Sequence, residues 1–307
     1  MRIFREPKIN FLKYKYFAFL LSGLIIVSGV ISVIHKKGLN FGVDFAGGTL
    51  IRIKFEQPTP IEKIREALRN VGLGQSRIQE VGHGKKEYLI RTITLKEKEE
   101  IEAHEIMGRR IVEALKKHKG LGKFEVLSKE TVGPAVGHDL RKKATQATIW
   151  ALIGMLIYIA LRFQISYGIA AILTLTHDVL VTTSILSLTN REINLPVIAA
   201  ILTIVGYSLN DTIVIFDRVR DNLRMGRKKP FEQILNDSIN QTLNRTIITS
   251  FTTLLTVLAL YFLGGEVIND FAFTMIVGVI CGTYSTIYQS CPIVLAWHNV
   301  FKKRKKK

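Results

Sequence analysis

Six long apolar runs constrain the fold of this chain more than any other feature. Each is close to the roughly 20 residues that a helix needs to cross the hydrocarbon core of a bilayer. The runs are Tyr16 to Ile34, Ala144 to Leu161, Ile165 to Leu188, Asn194 to Phe216, Thr246 to Leu263 and Phe271 to Trp297. The pattern predicts an α-helical membrane bundle of six transmembrane helices.

Lysine and arginine are concentrated in a few of the connecting segments. The net charge is +18 although 48% of the residues are apolar, so the two residue types are segregated along the chain. Basic residues occupy the leader before the first run, the segment Asp217 to Arg245 and the tail Lys302 to Lys307. Because basic short loops stay in the cytoplasm, both chain ends are predicted to be cytoplasmic, in a multi-pass protein of the cell (inner) membrane.

The first run and the tail each allow a second interpretation. The first run resembles a signal peptide, but it is too long and lacks a small-residue cleavage site, so we expect an uncleaved anchor. The tail could be a nucleic-acid-binding patch, but directly after a membrane helix it is more typical of an orientation anchor attracted to anionic lipid. We therefore expect the lipid bilayer, and no nucleic acid, as its partner.

A region of about a hundred residues separates the first two runs and is predicted to lie outside the cytoplasm, since long regions are exported largely regardless of charge. The predicted division is 1–34 for the leader and first helix, 35–143 for an external domain, 144–301 for the other five helices and 302–307 for the tail. The external domain contains no cysteine. Cys281 and Cys291 lie about 15 Å apart along one helix, too far for a disulfide.

Within the external domain, the apolar pattern alternates between strand and helix periods. Strand candidates are Thr49 to Phe55, Arg77 to Val81, Tyr88 to Ile93 and Phe124 to Ser128, and helix candidates are Ile61 to Val71 and Glu97 to His118. The resulting order of strand, helix, strand, strand, helix, strand predicts a ferredoxin-like α+β domain.

Two glycine-bearing stretches bracket this domain. The residues of interest are Gly42, Asp44, Gly47 and Gly48 before it, and Gly133, Pro134 and Gly137 after it. Neither stretch matches a phosphate-binding loop, because no Lys-Ser/Thr follows the glycines and no G-x-G-x-x-G lies between a strand and a helix. Both are expected to be tight joints next to the membrane helices, with a moving hinge as the alternative. The sequence predicts no cofactor, no metal ion and no catalytic residue.

Three ionisable residues in or beside the apolar runs are functional candidates, because charge in the hydrocarbon layer is costly. Asp178, with His177 beside it, lies near the middle of the third run, about 20 Å from its cytoplasmic end. Asp211 follows Asn210 and lies about 7 Å from the end of the fourth run, and Arg245 opens the fifth. These positions predict that Asp178 and Asp211 lie at levels about 12 Å apart.

The matched depth of Asp211 and Arg245 favours contact between them. Burial favours a protonated carboxyl group and a nearby arginine favours the ionised one, so a pair whose spacing changes would load and release a proton. Asp211, Arg245, Asp178 and Asn210 therefore form a predicted proton relay. The alternative is that Asp211 only reaches the membrane surface and that Arg245 is an ordinary basic residue of a cytoplasmic loop.

Two weaker patterns concern packing. Gly278 and Gly282 form a G-x-x-x-G that predicts close approach of a neighbouring helix. Between the fourth and fifth runs, Pro230 opens an amphipathic stripe that includes Phe231 and Leu243, and this predicts a separate helix lying flat on the inner membrane surface.

The sequence resembles a known family, the SecF subunits of the SecD-SecF protein-export complex, within the resistance-nodulation-division group of transporters. The resemblance rests on GVDFAGGT at 42–49, TVGPAVG at 131–137, HDV at 177–179, VGYSLNDTIVIFDRVR at 205–220 and NQTLNRT at 240–246.

This resemblance implies that the chain pairs with SecD, associates with the SecYEG channel and helps to move preproteins outward with the proton gradient. It also implies that Asp211 and Arg245 act in the proton path, with a complementary carboxylate supplied by SecD.

Three other functions remain possible from sequence. A half-size small-molecule exporter of the same group would share the six-helix plan, and a passive scaffold of the channel would share the topology. An intramembrane aspartyl protease needs two Asp side chains at one level, and the chain lacks the G-x-G-D sequence of such an enzyme. We therefore expect a transport protein and not an enzyme.

Overall fold

The computed structural model describes residues 7–81, 84, 86–92, 101–118, 120–225, 229–265 and 268–304. The chain divides into two compact units. One consists of Met1–Asn40 with Ala147–Lys307, and the other of Phe41–Gln146.

The elements follow one another in a simple order. A 3-10 turn at Phe11–Tyr14 precedes the first helix, and a π-helical turn at Thr286–Ser290 interrupts the last one. Between and around them lie α1 (Lys15–His35), α2 (Val43–Ala46), β1 (Gly48–Phe55), α3 (Ile61–Arg69), β2 (Arg77–Val81), β3 (Glu87–Thr92), α4 (Ile101–Lys117), β4 (Phe124–Val132), α5 (Pro134–Arg162), α6 (Ile165–Leu188), α7 (Leu195–Arg224), α8 (Phe231–Leu263), α9 (Asn269–Ser285) and α10 (Cys291–Arg304).

Six helices in the described part of the chain are long and apolar enough to cross a membrane: α1, α5, α6, α7, α8 and the continuous run of α9 into α10. The predicted six-helix bundle is confirmed. Local sequence sets the helix ends, as at α7, where the Asn194 side chain accepts a hydrogen bond from the Val197 N–H at 3.0 Å and Pro196 occupies the first turn. Such caps satisfy backbone groups that have no partner within the helix.

The predicted surface helix between the fourth and fifth crossings is not a separate element. α8 runs without interruption from Phe231 to Leu263, and α7 continues to Arg224, well past the end of its apolar run. The stripe that includes Leu235 and Ile239 is buried against bundle residues such as Phe216. The amphipathic pattern correctly marked a buried face, but neighbouring helices cover that face in place of a lipid surface.

The other unit contains a four-stranded antiparallel sheet in the order β2-β3-β1-β4. With α3 and α4 this is the ferredoxin-like arrangement predicted from sequence. Its core combines strand and helix residues that are fully buried, including Ile51, Ile53, Tyr88, Leu68 and Ile111. The Tyr88 hydroxyl donates to the carbonyl oxygen of Thr59. Part of the predicted second helix, 97–100, and Ile93 of the third predicted strand lie outside the described residues.

The two glycine stretches meet within this unit. Gly48 pairs with Val132 in the sheet, so β1 begins where β4 ends. Gly47 has a φ of 70°, a conformation that glycine adopts at little cost. A Cβ atom on Gly137 would lie 3.1 Å from the backbone nitrogen of Gly47 and 3.4 Å from the carbonyl oxygen of Asp44, so the start of α5 packs directly on α2.

Candidate functional site in the membrane bundle

Asp211 lies on the buried face of α7. Its side chain is only 2% exposed, and neither carboxylate oxygen has a hydrogen-bond partner among the described residues. Asn210 precedes it but is exposed, because successive side chains on a helix diverge by about 100°. The structure therefore does not bring Asn210 to the carboxylate. A buried polar group without partners is uncommon and marks a place where water or another molecule completes the site.

Arg245 lies on α8 and interacts electrostatically with Asp211. The guanidinium group is exposed and makes no hydrogen bond to the carboxylate, so this structure brings the two residues near each other without a direct contact. Two further buried polar atoms have no partner in the described chain, the Thr246 Oγ1 beside Arg245 and the Tyr207 hydroxyl one turn before Asp211. Each of these groups has unused hydrogen-bonding capacity.

Asp178 is also buried. Unlike Asp211, it has hydrogen-bond partners at both carboxylate oxygens. The Ser208 hydroxyl donates to Oδ2 at 2.5 Å, the Cys281 thiol lies 3.5 Å from Oδ1, and the neighbouring His177 Nδ1 lies 3.0 Å from Oδ1. The carboxylate thus links α6 to both α7 and α9.

The predicted difference of about 12 Å in depth between the two carboxylates is wrong. Ser208, which contacts Asp178, precedes Asp211 by three residues on α7, so the two acidic residues are separated by about one helical turn. The error arose because depth was counted from the end of the apolar run, and α7 continues beyond that point to Arg224.

His177 extends this network across the bundle. Its Nε2 lies 3.0 Å from the Gln289 amide nitrogen, which also donates to the Ser22 hydroxyl at 2.7 Å. Because an amide nitrogen only donates, Nε2 must accept, and Nδ1 then carries the hydrogen that is donated to Asp178.

The π-helical turn after α9 positions Gln289 in this network. It also places Thr286 within 3.0 Å of Thr212 on α7, through their hydroxyl oxygens. Such turns occur frequently at functional sites. Ser208, Cys281, Gln289 and Ser22 were not predicted as members of this network, although the large amide side chain of Gln289 in the middle of an apolar run was an available signal.

Gly278 and Gly282 lie where α9 packs against α7. A Cβ atom on Gly278 would lie 2.1 Å from Ile204 Cδ1, and one on Gly282 would lie 3.0 Å from Ser208 Cβ. The absence of side chains at these two positions lets the two helices approach closely. Ser208 and Cys281 can then meet at the same carboxylate.

His177, Asp178 and Cys281 each offer a metal-ligand atom, and these atoms lie within 4.8 Å of one another. The same atoms already hydrogen-bond to one another, to Ser208 and to Gln289. We therefore describe the cluster as a hydrogen-bond network.

Comparison with known proteins identifies the family. A model of the C-terminal region of SecD/SecF protein export membrane proteins matches residues 111–300, and a SecD/SecF GG motif model matches residues 32–59. The protein translocase subunit SecF of Desulfurispirillum indicum is 46% identical over 94% of this chain and 91% of its own length. The SecF subunit of Calditerrivibrio nitroreducens is 46% identical over 92% of this chain and 91% of its own length.

A solved structure agrees with these matches. The crystal structure of SecDF from Thermus thermophilus, described as a translocon-associated membrane protein, superimposes with a TM-score of 0.82 at 38% identity. The match covers 96% of this chain and 39% of that one. With matching family models, near full-length relatives and the same fold, this chain belongs to the SecF family of protein translocase subunits.

Proposed function

We propose that this chain is one half of a membrane complex that uses the proton gradient to assist preprotein translocation through the SecYEG channel, with a SecD subunit as the other half. The observation that carries the proposal is Asp211, a buried carboxylate in a membrane helix whose two oxygens have no partner in the described chain. Such a group is costly to keep ionised in that layer, so it is suited to exchanging a proton.

Arg245 is the group that would set when Asp211 ionises. Its guanidinium is exposed and makes no hydrogen bond to the carboxylate, so a movement of α8 relative to α7 would change their separation. Close approach would favour release of the proton and separation would favour its uptake. Asp178, one turn away and already paired, would act as the second acidic group of the relay. Asn210 would line the exposed side of the relay.

SecD is the proposed source of the complementary groups. The Thermus relative carries the matched region as 39% of a longer SecDF chain. In the present chain the exposed side chain of Arg245 is available to a second bundle, and the Asp211 carboxylate has no partner among the described residues. The glycine stretches that contain Gly47 and Gly137 are proposed to be tight joints next to the membrane helices, with a moving hinge as the alternative.

The test is export into inverted vesicles that contain SecYEG, SecD and this chain, with and without an imposed proton gradient. Asp211→Asn keeps the size of the side chain but cannot titrate, and it should assemble normally yet lose the gradient-dependent gain. Asp221→Asn, an exposed change on the same helix, is the matched control. Arg245→Lys keeps the charge without the planar guanidinium and should show a milder defect.

Two results would contradict the proposal. If Asp211→Asn retains the full gain, then Asp211 is not the proton carrier, and a passive scaffold becomes the better description. If no SecD-type protein co-purifies in mild detergent, then a small-molecule exporter is favoured.

The proposed orientation has its own test. Cysteines at Lys85 and Lys305, which lie outside the described residues, should be labelled from opposite sides of the membrane, with Lys85 outside. Labelling of both from one side would refute the topology.

A further inference from the structure

A polar groove with a volume of about 1130 Å³ lies where α7 ends and α8 begins. Its walls are the segment before α1, the last turns of α7 and the first four turns of α8. Most of the described residues that line the groove are charged or carry a side-chain amide. A groove of this composition does not fit an apolar ligand.

The N-terminal wall is held in place by two asparagines on α8. Asn236 accepts a hydrogen bond from the Phe11 N–H at 2.9 Å, and Asn240 accepts one from the Ile9 N–H at 3.0 Å. Both amide nitrogens donate to the carbonyl oxygen of Ile9 at 2.8 Å. Because both asparagines bind main-chain atoms of the segment before α1, that segment forms a fixed wall of the groove.

The charge of the lining is positive. Four cationic residues, Lys8, Arg218, Lys229 and Arg245, face two acidic residues, Glu232 and Asp237. Lys229 is paired with Asp237 at 2.6 Å. Within the described part of the chain, Arg218 donates only from its Nε, to Gln241 at 2.6 Å, so its terminal N–H groups are available to a ligand there.

The N-terminus of α8 adds to this field. It opens at Pro230 with no side-chain hydrogen bond that caps its first N–H groups, and Pro230, Glu232 and Gln233 line the groove. The beginning of a helix carries partial positive charge and unpaired N–H groups, both of which favour an anion. Uncompensated cations and an uncapped helix therefore point independently to an anionic ligand.

We propose that this groove binds the phosphate headgroup of an anionic phospholipid. Lys8 belongs to the segment that leads into α1, where Tyr16 and Phe17 are exposed, as lipid-facing side chains of a membrane helix are. A phosphate in the groove would place its acyl chains along that surface. Basic pockets between membrane helices on the cytoplasmic side are suited to such headgroups, so the assignment rests on the proposed orientation of the chain.

The experiment measures retention of phosphatidylglycerol by the full-length purified protein, using native mass spectrometry after exchange into phosphatidylcholine. The intact chain should retain phosphatidylglycerol selectively. Lys8→Gln and Arg218→Gln should each weaken retention about fivefold, the factor expected when one basic residue contributes about 1 kcal/mol. Arg218→Lys should retain most of the affinity, and Glu232→Gln should strengthen it. Arg224→Gln, an exposed change near the end of α7 that does not line the groove, is the matched control.

Competition identifies the source of the phosphate. Millimolar inorganic phosphate or glycerol 3-phosphate should not displace the lipid, and displacement by either would show a site for a soluble anion and overturn the proposal. Equal retention of phosphatidylcholine, or unchanged retention in Arg218→Gln, would also overturn it. The measurement needs neither SecYEG nor a gradient, so its failure is distinguishable from failure of the export function.

Discussion

The contact between α9 and α7 gives a prediction whose magnitude follows from the structure. A Cβ atom on Gly278 would lie 2.1 Å from Cδ1, 2.3 Å from Cγ1 and 2.8 Å from Cγ2 of Ile204. Ile204 is 1% exposed, and its branched Cβ keeps a carbon in at least one of the two overlapping γ positions in every staggered rotamer, so rotation of the side chain cannot clear the overlap. Gly278→Ala should therefore destabilise the bundle by about 1–3 kcal/mol, the usual cost of overpacking.

The assay is thermal or detergent-induced unfolding of the purified protein. For a chain of 307 residues, about 1 kcal/mol corresponds to a decrease in Tm of roughly 1–2 °C, because the unfolding entropy is about 2.1 cal/mol/K per residue. Gly206→Ala on α7 is the matched control, because a Cβ atom there would have no neighbour within 4 Å. Ile204→Ala should partly rescue Gly278→Ala, with a favourable coupling energy of about 0.5–3 kcal/mol in the double-mutant cycle. A Gly278→Ala protein as stable as Gly206→Ala would refute the close packing.

Three other predictions concern stability. A hydrogen bond from Lys54 is the main cause of a lowered pKa of Glu87. The ionised carboxylate therefore stabilises the fold, and Glu87→Gln should lower the free energy of unfolding by its full amount near pH 7 and by progressively less as the pH falls below about 4. Measured by denaturant unfolding, this loss should stay below about 1 kcal/mol, and a loss that grows in acid would contradict it. Residues 50–129 expressed alone should give a folded circular dichroism spectrum; an unfolded one would show that the core needs a partner. Arg191→Gln removes a 2.9 Å ion pair with Asp270 and should lower the Tm of the full chain, whereas an unchanged Tm would show that the pair contributes nothing.

The sequence was sufficient to predict the overall fold because the pattern of apolar residues in this chain marks its membrane crossings and the buried faces of its strands. A membrane crossing requires an unbroken apolar run, and the alternation in the β-sheet domain identifies each strand face. The same information does not specify which surface covers an apolar face. The stripe containing Leu235 was therefore assigned to the membrane surface, although it packs inside the bundle.

The candidate site was only partly predictable for a related reason. Asp178 and Asp211 stood out individually because charge is rare in membrane segments. The partners of Asp178 did not, because Ser208 and Cys281 are ordinary residues in a membrane helix. Their importance depends on the relative positions of three helices, which the length of an apolar run does not determine.

The pairing of Gly48 with Val132 has a consequence for how such a chain can be rearranged. Opposed residues of antiparallel strands lie about 5 Å apart, so the β-sheet domain begins and ends at nearly one point. An insert with adjacent ends can be removed, exchanged or replaced by a few flexible residues without stretching the host chain. The β-sheet domain is in this sense a cassette, and a version of this membrane protein that carries a different cassette could be built at the same junction.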